Sequence, residues 1–213
     1  MNRLVLALLL LALAPKPPHG PTSLSLAARV WDTTHPTGVV LQNDPDGALA
    51  LDFPQAPDSQ NYLYNVKPPR NLFSGATSLT YTMSLVVTGT PIFNFMTEPG
   101  NTCPTPPASA RPFFLANNDW SGEFGRWWSN PSAYTLSADS APVVLTVPLT
   151  PDRWSSVYGR FGNEDATTLV GWNDAISHVT GIGLTFGGGC FFGHGVNVSG
   201  GTARFRLEGL TVQ

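Results

Sequence analysis

The sequence predicts an all-β chain, an antiparallel β-sandwich with one short helix, and three observations carry that expectation. Of the 213 residues 42% are hydrophobic and only 12% charged, so the chain can bury a sizeable core, and its length favours one domain over two. Its 21 glycines and 20 prolines suit short strands joined by many turns better than long helices. Apolar and polar residues then alternate with period two through a succession of short segments.

The N-terminus comes first. Arg3 precedes an unbroken apolar run from Leu4 to Ala14, and Ala12 and Ala14 are the small residues an export signal places before its cut, so residues 1–14 read as a signal peptide. Eleven apolar residues are too few to span a bilayer, and the product is expected to be secreted or periplasmic with no membrane span. Pro15 would directly follow the cut and is poorly tolerated there, which leaves the cleavage position open. Residues 15–28, beginning PKPPHGP, read as a Pro-rich linker, and 29–213 as the single mature domain. Losing Arg3 leaves ten basic against fourteen acidic residues, a net charge near −4 that disfavours nucleic acid and other polyanions as partners.

The strand candidates follow in order. They are LALDF (49–53), NYLYNV (61–66), SLTYTMSLVV (78–87), PIFNFM (91–96), RPFFLAN (111–117), AYTLS (133–137), PVVLTVPL (142–149), RWSSVYG (153–159), GIGLTF (181–186) and TARFRLEGLTV (202–212). NDPDG (43–47), GTP (89–91) and SGGT (199–202) supply turn residues between strands. Short spacing without crossover helices predicts antiparallel pairing. The exception is 163–179, NEDATTLVGWNDAISHV, where Glu164 and Asp165 begin a helix whose Leu169, Trp172 and Ile176 share one inward face, although Gly171 weakens it. In the closing strand Ala203, Phe205 and Leu207 alternate with Thr202, Arg204, Arg206 and Glu208, which predicts one dry face and one wet face.

Two cysteines in an exported chain are better explained as a pair than as two buried thiols, so a disulfide between Cys103 and Cys190 is expected. The long loop it closes would contribute about 4–5 kcal/mol in the chain-entropy account.

HVTGIGLTFGGGCFFGHGV (178–196), preceded by the short helix and followed by GGTARFRLEGLTV (200–212), resembles the closing half of galactose-binding-like jelly-roll domains, which include many carbohydrate-binding modules. The resemblance covers about residues 79–212, while 29–77 match no family. It implies a jelly roll, frequent glycan binding through aromatic platforms in exported members, and in some modules a structural Ca²⁺. Asp44 and Asp46 of NDPDG are hard oxygen ligands suited to calcium, but a complete ligand set is not visible, a plain β-turn explains the segment better, and no cofactor is expected.

The most suggestive constellation is NNDWSGEFGRWWSNP (117–131). Sugar C–H faces stack on indoles while hydroxyls need amide, carboxylate and guanidinium partners, so Trp120, Arg126, Trp127 and Trp128 are candidate binding residues with Asn118, Asp119 and Glu123 as polar partners. In a strand Trp127 and Trp128 point to opposite faces, hence at most one of them is core while the other is exposed. The competing account makes the indoles core and the polar residues ordinary loop. A second candidate, 187–201, carries Phe191, Phe192, His194 and Asn197 among glycines that a turn or bulge explains.

The sequence thus points to a non-catalytic carbohydrate-binding domain for an extracellular or cell-wall glycan. One alternative is a glycan hydrolase or lyase using Asp119 and Glu123, the only carboxylate pair among aromatics; another is a structural or adhesive envelope protein. GxSxG is absent, and GIGLTFGGG precedes no helix and has no phosphate-binding Lys.

Overall fold

Alternation along the closing strand decides which side of the chain is dry: Ala203, Phe205 and Leu207 are buried, whereas Arg204, Arg206 and Glu208 face outward. The computed structural model describes residues 20–34, 39–56, 58–95, 107–188 and 193–213, and in it that pattern recurs until two sheets face each other across one core. Among the described residues the strands are β1 (Thr22–Ser23), β2 (Trp31–Thr34), β3 (Gln42–Asn43), β4 (Leu49–Asp52), β5 (Tyr62–Asn65), β6 (Ser78–Phe95) and β7 (Ala108–Ala116). There follow β8 (Arg126–Ser129), β9 (Tyr134–Thr135), β10 (Val143–Pro148), β11 (Trp154–Ser155), helix α1 (Ala166–Ser177), β12 (Val179–Gly188) and β13 (Val196–Val212).

The principal strands pair like the two arms of one long hairpin: β4 with β13, β5 with β12, β6 with β10, and β7 with β8. The hairpin is then rolled, so that β6 also pairs with β13 and β7 with β12, every ladder being antiparallel. One sheet runs β10–β6–β13–β4–β3, with β1 beside β13; the other runs β11–β8–β7–β12–β5–β2, with β9 beside β7. That order is a jelly roll.

Three expectations are corrected. GTP (89–91) and SGGT (199–202) do not separate strands, because β6 runs unbroken for 18 residues and β13 for 17. Gly89 and Gly200 adopt φ of 75° and 72°, and the ladder slips register between Ser199 and Gly201, so the glycines supply a shared bulge at which both strands bend. The sandwich also starts before residue 29. Thr22 and Ser23 pair with Val212 and Thr211, and Leu24 is buried, so the end of the expected 15–28 linker belongs to the domain.

The third correction concerns α1. The helix forms, and Asp165 caps it: its carboxylate accepts from Thr168 N at 2.9 Å while the Thr168 hydroxyl accepts from Asp165 N at 3.0 Å. Its buried face, however, is Thr168, Gly171, Trp172 and Ala175, and Leu169 is 41% exposed. The physical reason is Phe124, whose ring lies so close that a Cβ at Gly171 would come within 2.4 Å of its Cγ. The helix turns its one bare backbone position toward that ring, and the contact offsets the roughly 1 kcal/mol that glycine costs a helix.

Beneath α1 the core is aromatic. Trp172 meets Phe114 at 5.7 Å and Trp127 at 5.3 Å between ring centroids, and Phe114 meets Trp154 at 5.1 Å. Residues 1–14 and both members of the expected Cys103–Cys190 pair lie outside the described residues. Among the described residues no helix is long and apolar enough to cross a membrane.

Candidate functional site

Residues opposite one another in register share a face of a sheet. Across the β7 sheet, Tyr64, Gly183, Phe113 and Trp128 form one outward row, and Tyr62, Thr185 and Arg111 form the next. Their chain neighbours Leu63, Leu184, Phe114 and Trp127 point into the main core. The outward row is nonetheless largely dry, because Tyr62, Phe113, Leu115 and Trp128 make a second buried cluster with Tyr64, Trp120 and Val157 packed on it.

What covers this face is the loop that leaves β7. Asn117 and Asn118 take φ of 56° and 54°, a left-handed conformation that asparagine tolerates better than most residues. Asp119 then accepts from Ser121 N at 3.0 Å and Gly122 N at 2.7 Å, which closes the turn. Trp120 is thereby laid across the sheet, its ring 5.5 Å from both Tyr62 and Tyr64 in steep edge-to-face geometry. The Arg126 guanidinium carbon lies 5.9 Å from the Trp120 ring centroid and 5.5 Å from that of Trp128, and its Nη1 donates to the Tyr62 hydroxyl at 3.2 Å.

The structure therefore brings together Trp120, Arg126 and Trp128, with the Asp119 carboxyl near enough to feel the Arg126 charge. Trp120 and Arg126 are half-buried, and Trp128 is 6% exposed. Trp127 is fully buried on the opposite face, so it is withdrawn as a binding residue: period two sends it inward, where Phe124 and Trp172 enclose it. Asn118 is exposed, with its backbone N–H donated to Thr180. Glu123 pairs with Arg160 at 3.2 Å, and the same guanidinium also holds Glu164 and Asp165 at the start of α1.

The electrostatics follow from these contacts. The N–H groups of Gly122 and Ser121 hold the Asp119 carboxyl below its ordinary range, and burial pushes the Tyr62 hydroxyl up against the opposing charge of Arg126. A general acid needs a raised carboxyl, so Asp119 is set the wrong way for that role, and Glu123 is committed to Arg160. Arg111 is 8% exposed, donates to the Ser129 carbonyl at 2.8 Å, and is pushed down to about 10 by burial.

One contrast stands out among the indoles. Trp31, Trp127 and Trp154 each donate Nε1–H to a backbone carbonyl at 2.8–2.9 Å. Trp128 Nε1 and Arg126 Nε are shielded from water and have no hydrogen-bond partner among the described residues.

NDPDG proves to be a turn, with Gly47 N donating to the Asp44 carbonyl at 2.8 Å. Asp44 bridges Arg204 at 2.7 Å and Arg206 at 2.8 Å, and Asp46 also pairs with Arg206. The carboxylates suggested for calcium are thus spent on two guanidinium groups, and among the described residues no cluster of three or more His, Cys, Asp or Glu is placed to hold a metal.

Tyr62, Tyr64 and Phe113 are contributors that the sequence did not single out. A signal existed: NYLYNV sets both tyrosines on one side of Leu63, and the adjacent Phe113 and Phe114 make both faces of β7 apolar. A strand dry on both faces requires a cover on the outer one.

No family model matches the sequence, and no curated protein sequence matches it. Among solved structures the chain is similar to the L4b domain of human laminin alpha-2, with 11% identity and a TM-score of 0.35 over 86% of this chain and 98% of that domain. Any functional reading therefore rests on the residues of the outer face.

Proposed function

We propose that this chain is an exported, non-catalytic carbohydrate-binding domain that recognises an extracellular or cell-wall glycan through the outer face of the β7 sheet. The observation that carries this is the guanidinium of Arg126 lying over the rings of both Trp120 and Trp128, outside the main core, with Tyr64 packed on Trp120. Half-exposed indole offers a stacking surface for sugar C–H groups, and the guanidinium edge offers donors for hydroxyls. The jelly-roll strand order and the resemblance of residues 178–212 to galactose-binding-like domains support the same proposal.

Export brings an oxidising compartment, in which Cys103 and Cys190 pair. Ala108 and Gly188 are partners in register, five residues after Cys103 and two before Cys190, which supports the bond. Thiol titration of the unfolded chain, with and without reductant, tests it: two reactive thiols before reduction would refute the pairing.

The deep burial of Trp128 favours one rival, a structural domain in which the outer cluster is only a small second core. Acrylamide quenching of tryptophan fluorescence against a panel of polysaccharides separates the two. Protection of Trp120 by an unconsumed glycan is expected; consumption would indicate an enzyme, and indifference to every glycan would leave the structural account.

A further inference from the structure

We infer that the outer face accepts a saccharide bearing an isolated carboxylate, a uronic acid residue or its equivalent, with Arg126 and Trp128 as its donors; this rests on the glycan-binding proposal above. Arg126 makes no ion pair within 4 Å among the described residues; the Asp119 carboxyl feels its charge, and one oxygen of that carboxyl, Oδ1, accepts from Ser121 and Gly122. A shielded donor without an acceptor is costly. Here two such donors coincide among the described residues: the unpartnered Nε of Arg126 and the unpartnered Nε1 of Trp128, a residue 6% exposed whose ring centroid lies 5.5 Å from the guanidinium carbon.

The geometry selects a planar anion. Nη1 is used on the Tyr62 hydroxyl, which leaves the Nε/Nη2 edge, whose Nε has no partner among the described residues. That edge is the fork that meets the two oxygens of a carboxylate. Arg126 is half-buried while its Nε and the Trp128 Nε1 are shielded, so the proposal requires the Arg126 side chain to rotate and open both donors to the ligand. The net charge of −3 opposes a long polyanion, which is why a single acidic sugar in an otherwise neutral chain fits better than a continuous polyuronate.

The test is calorimetric titration of the full chain with a matched pair of oligosaccharides, one ending in glucuronic acid and the other its carboxyl-reduced, glucose-ended analogue. The acidic member is expected to bind at least about tenfold tighter, and the preference should shrink as salt is raised from 50 to 500 mM. Arg126→Gln should abolish the preference. Trp128→Phe keeps a six-membered aromatic ring and removes the pyrrole portion with its N–H, so it should reduce the preference with only a small fall in melting temperature; this second variant decides the matter if Arg126→Gln fails to fold. Equal binding of both sugars would overturn the carboxylate while glycan binding stands. Binding of neither, alongside binding of other neutral polysaccharides, overturns it in the same way, whereas silence toward every saccharide removes both proposals.

Discussion

Trp127 and Trp128 are neighbours in the chain and opposites in the structure. Trp127 lies between Phe124 and Trp172 in the main core and gives its N–H to the Phe124 carbonyl at 2.9 Å. Trp128, on the other face of the same strand, is nearly as buried yet leaves its N–H without an acceptor, under a guanidinium and beside a half-exposed indole. The two indoles differ little in burial and clearly in hydrogen-bond completeness, and it is this difference, under the glycan-binding proposal, that assigns Trp127 to the core and Trp128 to the outer face.

The sharpest way to break this contrast is to remove the inner ring. Trp127→Ala opens a large cavity among Phe124, Trp172 and Phe114, and a loss of about 4 kcal/mol is expected, read as a fall of about 10 °C in the thermal transition. A fall no larger than that of Trp128→Phe would erase the distinction between the two faces. Next in size is Gly171→Ala. Helix propensity alone predicts stabilisation, but the new methyl would sit 2.4 Å from the Phe124 ring, so a loss of roughly 1–3 kcal/mol in urea unfolding is expected instead. A gain in stability would show that Phe124 yields freely.

Trp128→Phe comes third. It keeps an aromatic on the outer cluster, trims a buried indole to a phenyl and removes a donor that has no partner among the described residues, so a loss of about 1 kcal/mol is expected in the same experiment. The smallest effect on the fold comes from pH. The folded-state Asp119 carboxyl is lowered by the N–H groups of Gly122 and Ser121, so its contribution is present above the unfolded value near 3.8 and is lost as pH falls below it. Acrylamide quenching should therefore rise below about pH 4 as the Trp120 loop loosens, with far-ultraviolet dichroism unchanged, and Asp119→Ala should show the raised quenching already at neutral pH. Coincident loss of both signals would mean that loop and sandwich melt together.

Much of the fold was legible because it depends on local period. The alternation of Ala203, Phe205 and Leu207, the helix after Asp165 and the divergence of Trp127 from Trp128 all follow from backbone geometry acting over a few residues. What failed was non-local. Gly89 and Gly200 look like turns until each is seen opposite the other strand, where they become a bulge, and Leu169 looks inward until Phe124 claims the space beside Gly171. The site was half legible for the same reason. Period two assigns Trp128 a face, but only the path of residues 117–125 reveals that Trp120 covers it, and only the register aligns Tyr64, Gly183 and Phe113 with it. Asn118, Asp119 and Glu123 were read as ligand partners because they are polar beside aromatics, yet Asp119 and Glu123 are occupied in holding the loop in place.

The pairing of β13 with both β6 and β4 bears on how the molecule is assembled. Its residues are at the centre of one sheet while lying more than a hundred positions along the chain from most of those they bond, as in Phe205 opposite Leu85 and Leu51. The β6–β10 and β7–β8 ladders join nearer parts of the chain, but the β10–β6–β13–β4 sheet is complete only when the 196–212 segment is in place. Such non-local pairing makes folding slow.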